Sequence, residues 1–95
     1  MPVRVRIPTI FRPQVGGAAE VAVDVNGGSS TLSDLLSDLE RRYPGFTGRI
    51  LTDDGQLHRF VNLYVNGEDV RYIGSLGAEV KEGDTVSILP SVAGG

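Results

Sequence analysis

The chain has 95 residues, with 9 Lys plus Arg, 12 Asp plus Glu, one His, no Cys or Trp, and a formal charge of −3 at pH 7. This length corresponds to one domain and is too short for a two-lobed enzyme, a dinucleotide-binding fold or a barrel. The acidic balance argues against nucleic-acid binding. No apolar run approaches the about 20 residues of a membrane span. Without cysteines or clustered histidines, any chemistry must come from other groups.

The N-terminal third predicts two strands. Residues 3–7 alternate valine or isoleucine with arginine, and residues 20–25 alternate valine with polar or small residues. A period of two is typical of a strand with one buried face. Residues 11–17 between them are predicted to form a loop that closes on glycines, and 26–30 end the second strand. Because the first residues alternate charge with valine instead of forming an apolar signal peptide, we expect a soluble cytoplasmic protein.

From Thr31 the apolar period changes to that of an amphipathic helix. Its apolar stripe consists of Leu32, Leu35, Leu36 and Leu39. Thr31 followed by Asp34 resembles an N-terminal capping box, Arg41 suits the negative C-terminal end of the helix dipole, and Pro44-Gly45 ends the helix. Residues 46–58 have no clear period, so we predict a loop with one short turn.

The C-terminal half predicts a run of strands. Residues 60–65 precede Asn66-Gly67, a dipeptide that favours a type I′ hairpin turn. We predict that 68–73 return as a short strand and that a last strand over 85–89 ends at Pro90. The order of elements predicts an α+β fold of the β-grasp (ubiquitin-like) kind, in which one main helix covers a mixed sheet of four to five strands. The first and last strands are expected to be parallel neighbours.

Residues 91–95 are predicted to be a flexible tail after a β-grasp domain of residues 1–90. The tail has only small or short side chains and ends in Gly-Gly. It could reach roughly 16 to 18 Å into a partner's pocket, where Gly94 would let the walls approach the backbone. We predict that Val92, Ala93 and Gly94 are threaded through such a pocket, so that an enzyme can act on the carboxylate of Gly95. The alternative is an ordinary frayed chain end.

Several segments resemble the ubiquitin-like sulfur carriers of the ThiS/MoaD family. The tail at 88–95, Ile-Leu-Pro-Ser-Val-Ala-Gly-Gly, resembles the ending of MoaD-type members. Residues 7–10, Ile-Pro-Thr-Ile, and the block 58–71, His-Arg-Phe-Val-Asn-Leu-Tyr-Val-Asn-Gly-Glu-Asp-Val-Arg, resemble the CysO branch, whose members carry sulfur for cysteine biosynthesis. The resemblance covers nearly the whole chain.

The resemblance implies a carrier rather than an enzyme. A separate ubiquitin-activating-type adenylyl/sulfurtransferase would adenylate the Gly95 carboxylate with ATP, and sulfide or a persulfide would displace AMP to form a thiocarboxylate. In the CysO branch the thiocarboxylate attacks an aminoacrylate on the PLP of a CysM-type cysteine synthase, and a zinc-dependent peptidase releases the new cysteine. ATP, PLP and zinc would therefore be held by the partners and not by this chain.

Two other functions are compatible with the same residues. One is that of a MoaD-like small subunit of molybdopterin synthase, in which the thiocarboxylate would react with a pterin precursor. The other is that of a ubiquitin-like protein modifier, or a plain binding module, whose tail would form isopeptide bonds or undergo no covalent reaction.

The outer face of the sheet is the candidate docking surface. Alternation along 60–65 places Phe60 and Tyr64 opposite the apolar residues of the core face, and Leu89 is expected to face outward near the tail. Contiguous exposed apolar residues mark interaction sites. The alternative is that 46–57 fold over this face and bury Phe60 and Tyr64 in the core.

Two further features are predicted to have no catalytic or metal-binding role. His58 has no second ligand or acidic partner at a suitable spacing, which favours a solvent-exposed or hydrogen-bonding histidine. Asp53-Asp54-Gly55 is far shorter than a calcium-binding loop and is predicted to be a turn.

Overall fold

The computed structural model describes residues 1–90, apart from the side chain of Asn26, and has seven strands and one α-helix in that range. The strands and the helix are β1 (Val3–Arg6), β2 (Glu20–Val23), β3 (Ser29–Thr31), α1 (Leu32–Arg42), β4 (Val61–Val65), β5 (Glu68–Asp69), β6 (Glu79–Lys81) and β7 (Thr85–Pro90). Short 3₁₀ helices span Thr9–Val15, Asn26–Gly28, Thr47–Arg49, Val70–Tyr72 and Ser75–Gly77. Within residues 1–90, no helix has the length and apolar character needed to cross a membrane.

Five strands form a mixed sheet in the order β2-β1-β7-β4-β5, while β3 and β6 form a separate two-stranded sheet. β1 is parallel to β7, and the other pairs in the large sheet are antiparallel. The predicted parallel pairing of the first and last strands is therefore confirmed. Because β7 is the central strand, the described chain ends at Pro90 in the middle of the sheet.

The core lies between α1 and one face of the five-stranded sheet. The leucine stripe predicted from the sequence is buried, with none of its members more than 2% exposed. The helix begins as predicted, since the Thr31 hydroxyl accepts a hydrogen bond of 3.2 Å from the backbone N–H of Asp34. On the sheet side the core contains Val3, Val5, Val21, Val23, Val61, Leu63, Val65, Val86 and Ile88.

Residues 46–58 differ from the loop that the sequence predicts. The expected short turn is present as the 3₁₀ helix Thr47–Arg49, but the segment also contributes Phe46 and Ile50 to the core, at 1% and 0% exposure. An antiparallel bridge between Leu51 and Leu57 closes the rest into a hairpin-like turn around the predicted turn at 53–55. The prediction missed this packing because neither helical nor strand periodicity marks side chains that are buried only by contacts with distant elements.

The strand predicted over 68–73 is wrong beyond Asp69. The side chain of Asp69 accepts a hydrogen bond of 2.9 Å from the backbone N–H of Arg71, and this cap begins the 3₁₀ helix Val70–Tyr72. Local side-chain bonds of this type compete with strand pairing. The predicted loop at 11–17 also contains helical structure, since the 3₁₀ helix Thr9–Val15 buries Phe11 and Val15 before the chain turns at Gly16.

Asn66 and Gly67 form the predicted type I′ hairpin turn between β4 and β5. Both have positive φ angles, 52° and 89°, as this turn requires. The Asn66 amide also donates to the Asp84 carboxylate at 2.9 Å and accepts from the backbone N–H of Thr85 at 2.9 Å. The turn is thus attached to the beginning of β7.

Glu40 fixes the chain that leaves α1. Its carboxylate accepts hydrogen bonds from the N–H of Gly45 at 2.7 Å, the N–H of Thr47 at 3.0 Å and the hydroxyl of Thr47 at 2.7 Å. These bonds stabilise the ionised form, so the bond from Gly45 and then those from Thr47 lower the pKa of the Glu40 carboxyl. The connection to the buried Phe46 and Ile50 therefore depends on an ionised side chain.

We expect Glu40→Gln to lower the free energy of unfolding at neutral pH. A carboxyl whose pKa is lower in the folded than in the unfolded chain stabilises the fold above the unfolded pKa, and this contribution disappears as the pH falls through the folded pKa. The wild type and the variant should therefore differ most at neutral pH and converge in acid, as measured by urea denaturation at a series of pH values. Glu68→Gln is the control, since the Glu68 carboxylate has no hydrogen bond or ion pair within residues 1–90. A difference that is independent of pH would contradict the assignment.

Candidate partner-docking site

The sheet face opposite α1, which we call the outer face, carries side chains that are exposed or half-buried. Arg6, Ser87 and Tyr64 lie side by side on it in neighbouring strands, and Leu89 lies beside Asn62. These residues share a face because side chains alternate along each strand and neighbours in register point the same way. The outer face consists of Glu20, Ala22, Arg4, Arg6, Thr85, Ser87, Leu89, Asn62, Tyr64 and Asp69.

The three predicted docking side chains are outside the core. Phe60 is 40% exposed and Leu89 is 50% exposed, while Tyr64 is half-buried. The alternative in which 46–57 bury Phe60 and Tyr64 is wrong, since that segment instead packs Phe46 and Ile50 into the core. The orientation expected from strand alternation is thus present, and the docking role itself stays a prediction.

The ring of Phe60 contacts the side chains of the two residues that precede it, His58 and Arg59. The ring of His58 lies 5.4 Å from the Phe60 ring, and the guanidinium carbon of Arg59 lies 4.8 Å from the centre of that ring. His58 Nδ1 also accepts a hydrogen bond of 3.1 Å from the backbone N–H of Phe60. The only histidine therefore has a hydrogen-bonding role, as the sequence suggested, and it positions an exposed aromatic side chain.

Arg71 fixes the beginning of β4 from outside the sheet. Its guanidinium donates to the side-chain oxygen of Asn62 at 2.9 Å and to the backbone carbonyls of His58 at 3.1 Å and Val61 at 2.9 Å. Bonds from a charged donor are stronger than neutral ones. Sequence reasoning did not assign this role to Arg71; the only local signal is Asp69, whose side chain receives the Arg71 N–H.

A groove of about 380 Å³ adjoins the outer face where β1 and β7 end. Its charged lining residues are Arg6, Arg12 and Glu20, and Leu89 is an exposed apolar one. The remaining lining residues are Ile7, Pro8, Ala19, Ser87 and Ile88. The groove thus lies beside the last residues that lead to position 91.

A second groove, of about 400 Å³, lies between α1 and the connection from β2 to β3, and Asp24, Asp34 and Asp38 are among its lining residues. Despite these carboxylates, no group of three or more His, Asp or Glu side chains in the described part of the chain is arranged to hold a metal ion.

The predicted reactive and threading residues Gly95, Gly94, Ala93 and Val92 lie outside the described residues. Their roles, and the division into a domain of 1–90 and a tail of 91–95, stay predictions.

This chain is similar in sequence and structure to known proteins of one family. The ThiS family model matches residues 5–95. The sulfur carrier protein CysO of Mycobacterium tuberculosis is 48% identical over 97 residues that include all of both chains. A chain in the crystal structure of the Amycolatopsis orientalis BexX/CysO complex is 49% identical, with a TM-score of 0.84 over 98% of this chain and 99% of that one. The small archaeal modifier protein SAMP1 of Haloferax volcanii is 29% identical, with a TM-score of 0.80 over the whole of both chains. These matches confirm the predicted ubiquitin-like β-grasp fold and the resemblance to the CysO branch, and the chain belongs to the ThiS family.

Proposed function

We propose that this protein is a sulfur carrier for cysteine biosynthesis, which acts through a thiocarboxylate at Gly95. The observation that carries this proposal is the 48% identity to the sulfur carrier protein CysO over the full length of both chains. The fold supports it, because the central strand β7 leads directly to residue 91. As a carrier, the protein is a co-substrate of other enzymes and binds no cofactor of its own.

Activation of Gly95 requires a better leaving group than oxide. On a separate ubiquitin-activating-type enzyme, a carboxylate oxygen of Gly95 attacks the α-phosphorus of ATP, which forms the acyl adenylate and releases pyrophosphate. Hydrosulfide, or the terminal sulfur of a persulfide, then attacks the acyl carbon and AMP leaves with the bonding electron pair. With a persulfide, a thiol must reduce the resulting acyl disulfide. The product is a thiocarboxylate whose sulfur is the nucleophile, so no cysteine is needed in this chain.

The second half of the cycle transfers the sulfur to a three-carbon unit. The thiocarboxylate sulfur adds to the β-carbon of an aminoacrylate on a CysM-type PLP-dependent synthase, and a proton is taken up at the α-carbon. Once the amino group of the resulting thioester is released from the cofactor of the synthase as a free amine, it attacks the acyl carbon and displaces the thiol, which leaves an amide between Gly95 and cysteine. Hydrolysis of that amide by a zinc-dependent peptidase releases cysteine and restores the Gly95 carboxylate.

A modifier function is the second candidate, because SAMP1 of H. volcanii is 35% identical over 82 residues, or 86% of this chain. A MoaD-like role in molybdopterin synthesis is the third. The three differ in what the activated chain reacts with: an aminoacrylate, protein lysines or a pterin precursor.

Reaction of the purified thiocarboxylate form with each acceptor separates these functions. We expect the aminoacrylate form of a CysM-type synthase to give a protein with one cysteine attached to Gly95, identified by sequencing the C-terminal peptide. Sulfur transfer to a pterin precursor, without reaction at the aminoacrylate, would replace the cysteine pathway with the MoaD-like function. Lysine-linked conjugates in the presence of ATP and the activating enzyme would favour the modifier function.

Phe60→Ala tests whether Phe60, which lies one residue before β4, docks the activating enzyme. Removal of an exposed aromatic anchor at an interface costs about 1–2 kcal/mol or more of binding energy, so we expect the KM for the carrier in adenylation to rise about tenfold. Because Phe60 is 40% exposed, the melting temperature should change little. The control is Tyr72→Ala, which removes an aromatic side chain that is 87% exposed and lies in the 3₁₀ helix after β5. Equal KM values for wild type and Phe60→Ala would exclude Phe60 from docking.

A further inference from the structure

The charges of this acidic chain are paired unevenly over its surface. Within residues 1–90 the ion pairs join Asp38 to Arg41 and Arg42 on α1, Glu79 to Lys81 on β6, and the N-terminal amine to Glu82. None of these pairs lies on the outer face. Arg41, Arg42, Lys81 and the N-terminal amine are thus paired in the described part of the chain, whereas Arg49, Arg59 and Arg71 form no ion pair with a carboxylate there.

Arg4 and Arg6 on the outer face, and Arg12 at the adjoining groove, have no such partners. Arg4, Arg6 and Arg12 form no ion pair with a carboxylate in the described part of the chain, although Glu20 lies directly opposite Arg6 in the β1–β2 register. Arg12 is half-buried, and its Nε donates to the carbonyl of Ile7 at 3.0 Å, which fixes its guanidinium beside the groove. Although the protein has a net charge of −3, the outer face and its groove thus carry three arginines without ion pairs beside two carboxylates, Glu20 and Asp69.

These arginines surround an exposed apolar side chain. Arg6 and Arg12 line the same groove as Leu89, which is half exposed one residue before the end of β7. Ile7 and Pro8 are among the other apolar lining residues, and Glu20 is the one carboxylate in the lining. The groove thus combines apolar side chains with a net positive charge, and protein interfaces likewise combine apolar and polar contacts.

We infer that this surface, formed by Arg4, Arg6, Arg12 and Leu89, docks partner proteins that present carboxylates around an apolar pocket at the entrance for the tail. The inference rests on the proposed function, because the partner must bring its reactive site to the residues after Pro90. Opposite charges at the rim accelerate association and orient the two proteins, while the apolar centre supplies contact area. A nucleic acid is the less suitable occupant, since it would leave Leu89 and the apolar walls without a matching surface.

The association rate with purified A. orientalis BexX tests the inference, because a chain 49% identical to this one is present in the crystal structure of the BexX/CysO complex. Stopped-flow measurements between about 50 and about 400 mM salt separate the electrostatic contribution to the association rate, which salt screens, from the contribution that does not depend on salt. We expect the association rate of the wild type to fall as the salt concentration rises. Arg6→Glu should lower the rate at low salt about tenfold and make it less dependent on salt. Arg6→Gln should have a smaller effect in the same direction. Arg49→Glu is the control, since it makes the same charge change in the 3₁₀ helix packed against α1 and should alter the rate less than about twofold.

Four results would overturn the inference. They are a rate that does not depend on salt, equal effects of Arg6→Glu and Arg49→Glu, tighter binding to a short DNA duplex than to BexX, and absence of wild-type binding to BexX. None of these results bears on whether Gly95 carries sulfur, because thiocarboxylate formation is measured separately by mass. Circular dichroism of each variant confirms that it is folded.

Discussion

A chain with one alanine added after Gly95 is expected to form no thiocarboxylate, although its fold is unchanged. The added residue converts the Gly95 carboxylate into an amide and moves the free carboxylate by about 3.3–3.6 Å. A misplacement of about 1 Å at a reacting centre can cost about a hundredfold in rate, and the predicted threading of the tail relies on glycines that have no Cβ. We therefore expect activation to fall at least about a thousandfold, measured as ATP-dependent pyrophosphate release with the purified activating enzyme.

An alanine inserted after Asp54 is the matched control for this extension. It lengthens the chain equally, but within the exposed turn at 53–55, so activation should stay near the wild-type rate. Normal activation of the C-terminally extended chain would show that the Gly95 carboxylate is not the reacting group. A plain binding module would lose nothing by the extension, and unchanged partner binding without any activation of the wild type would favour that function.

Phe46→Ala is expected to destabilise the fold severely. Phe46 is 1% exposed and is among the largest fully buried side chains, and truncation of such a phenylalanine costs about 3–5 kcal/mol. A domain of this size is stable by about 5–15 kcal/mol in total, and each kcal/mol shifts the melting temperature by about 4 °C or more. We therefore expect the melting temperature to fall by at least about 12 °C.

Phe60→Ala is the natural comparison for Phe46→Ala, because the same atoms are removed from a side chain that is 40% exposed. We expect a loss of stability below about 1.5 kcal/mol there, with the main effect on partner binding. Similar losses of stability in the two variants would contradict the burial of Phe46 in the core and the exposure of Phe60.

The parts of the fold that could be predicted from the sequence are those encoded by local signals. The leucine stripe with Thr31 as its cap predicts α1, and Asn66-Gly67 predicts the hairpin turn. The alternation of valine with arginine predicts β1. Each of these signals depends only on residues that are close together in the chain, and the element that each one predicts is present in the structure.

The remaining elements depend on contacts between distant parts of the chain. The pairing of β3 with β6 joins strands of only three residues each, which are too short for periodicity to mark. Phe46 and Ile50 are buried by packing, not by the period of their own segment. Beyond Asp69, a single capping hydrogen bond was enough to replace the predicted strand with a 3₁₀ turn.

The candidate site likewise has features that local sequence patterns predict and features that depend on contacts between distant residues. Strand alternation was sufficient to place Phe60 and Tyr64 outside the core. In contrast, the grouping of Arg6 and Arg12 with Leu89 arises from the parallel pairing of β1 with β7 and from the 3₁₀ helix after β1, and no local pattern marks it. The hydrogen bonds of Arg71 to the beginning of β4 likewise join segments that only the folded chain brings together.

The central claim is that Gly95 carries sulfur, and the intact mass of the protein tests it most directly. The protein would be purified from its own host, or after coexpression with its ubiquitin-activating-type enzyme, and its C-terminal peptide sequenced. We expect a mass increase equal to the replacement of one oxygen by sulfur at Gly95, or the addition of one cysteine residue there. An unmodified mass in the presence of active enzyme, ATP and a sulfur source would contradict the sulfur-carrier function.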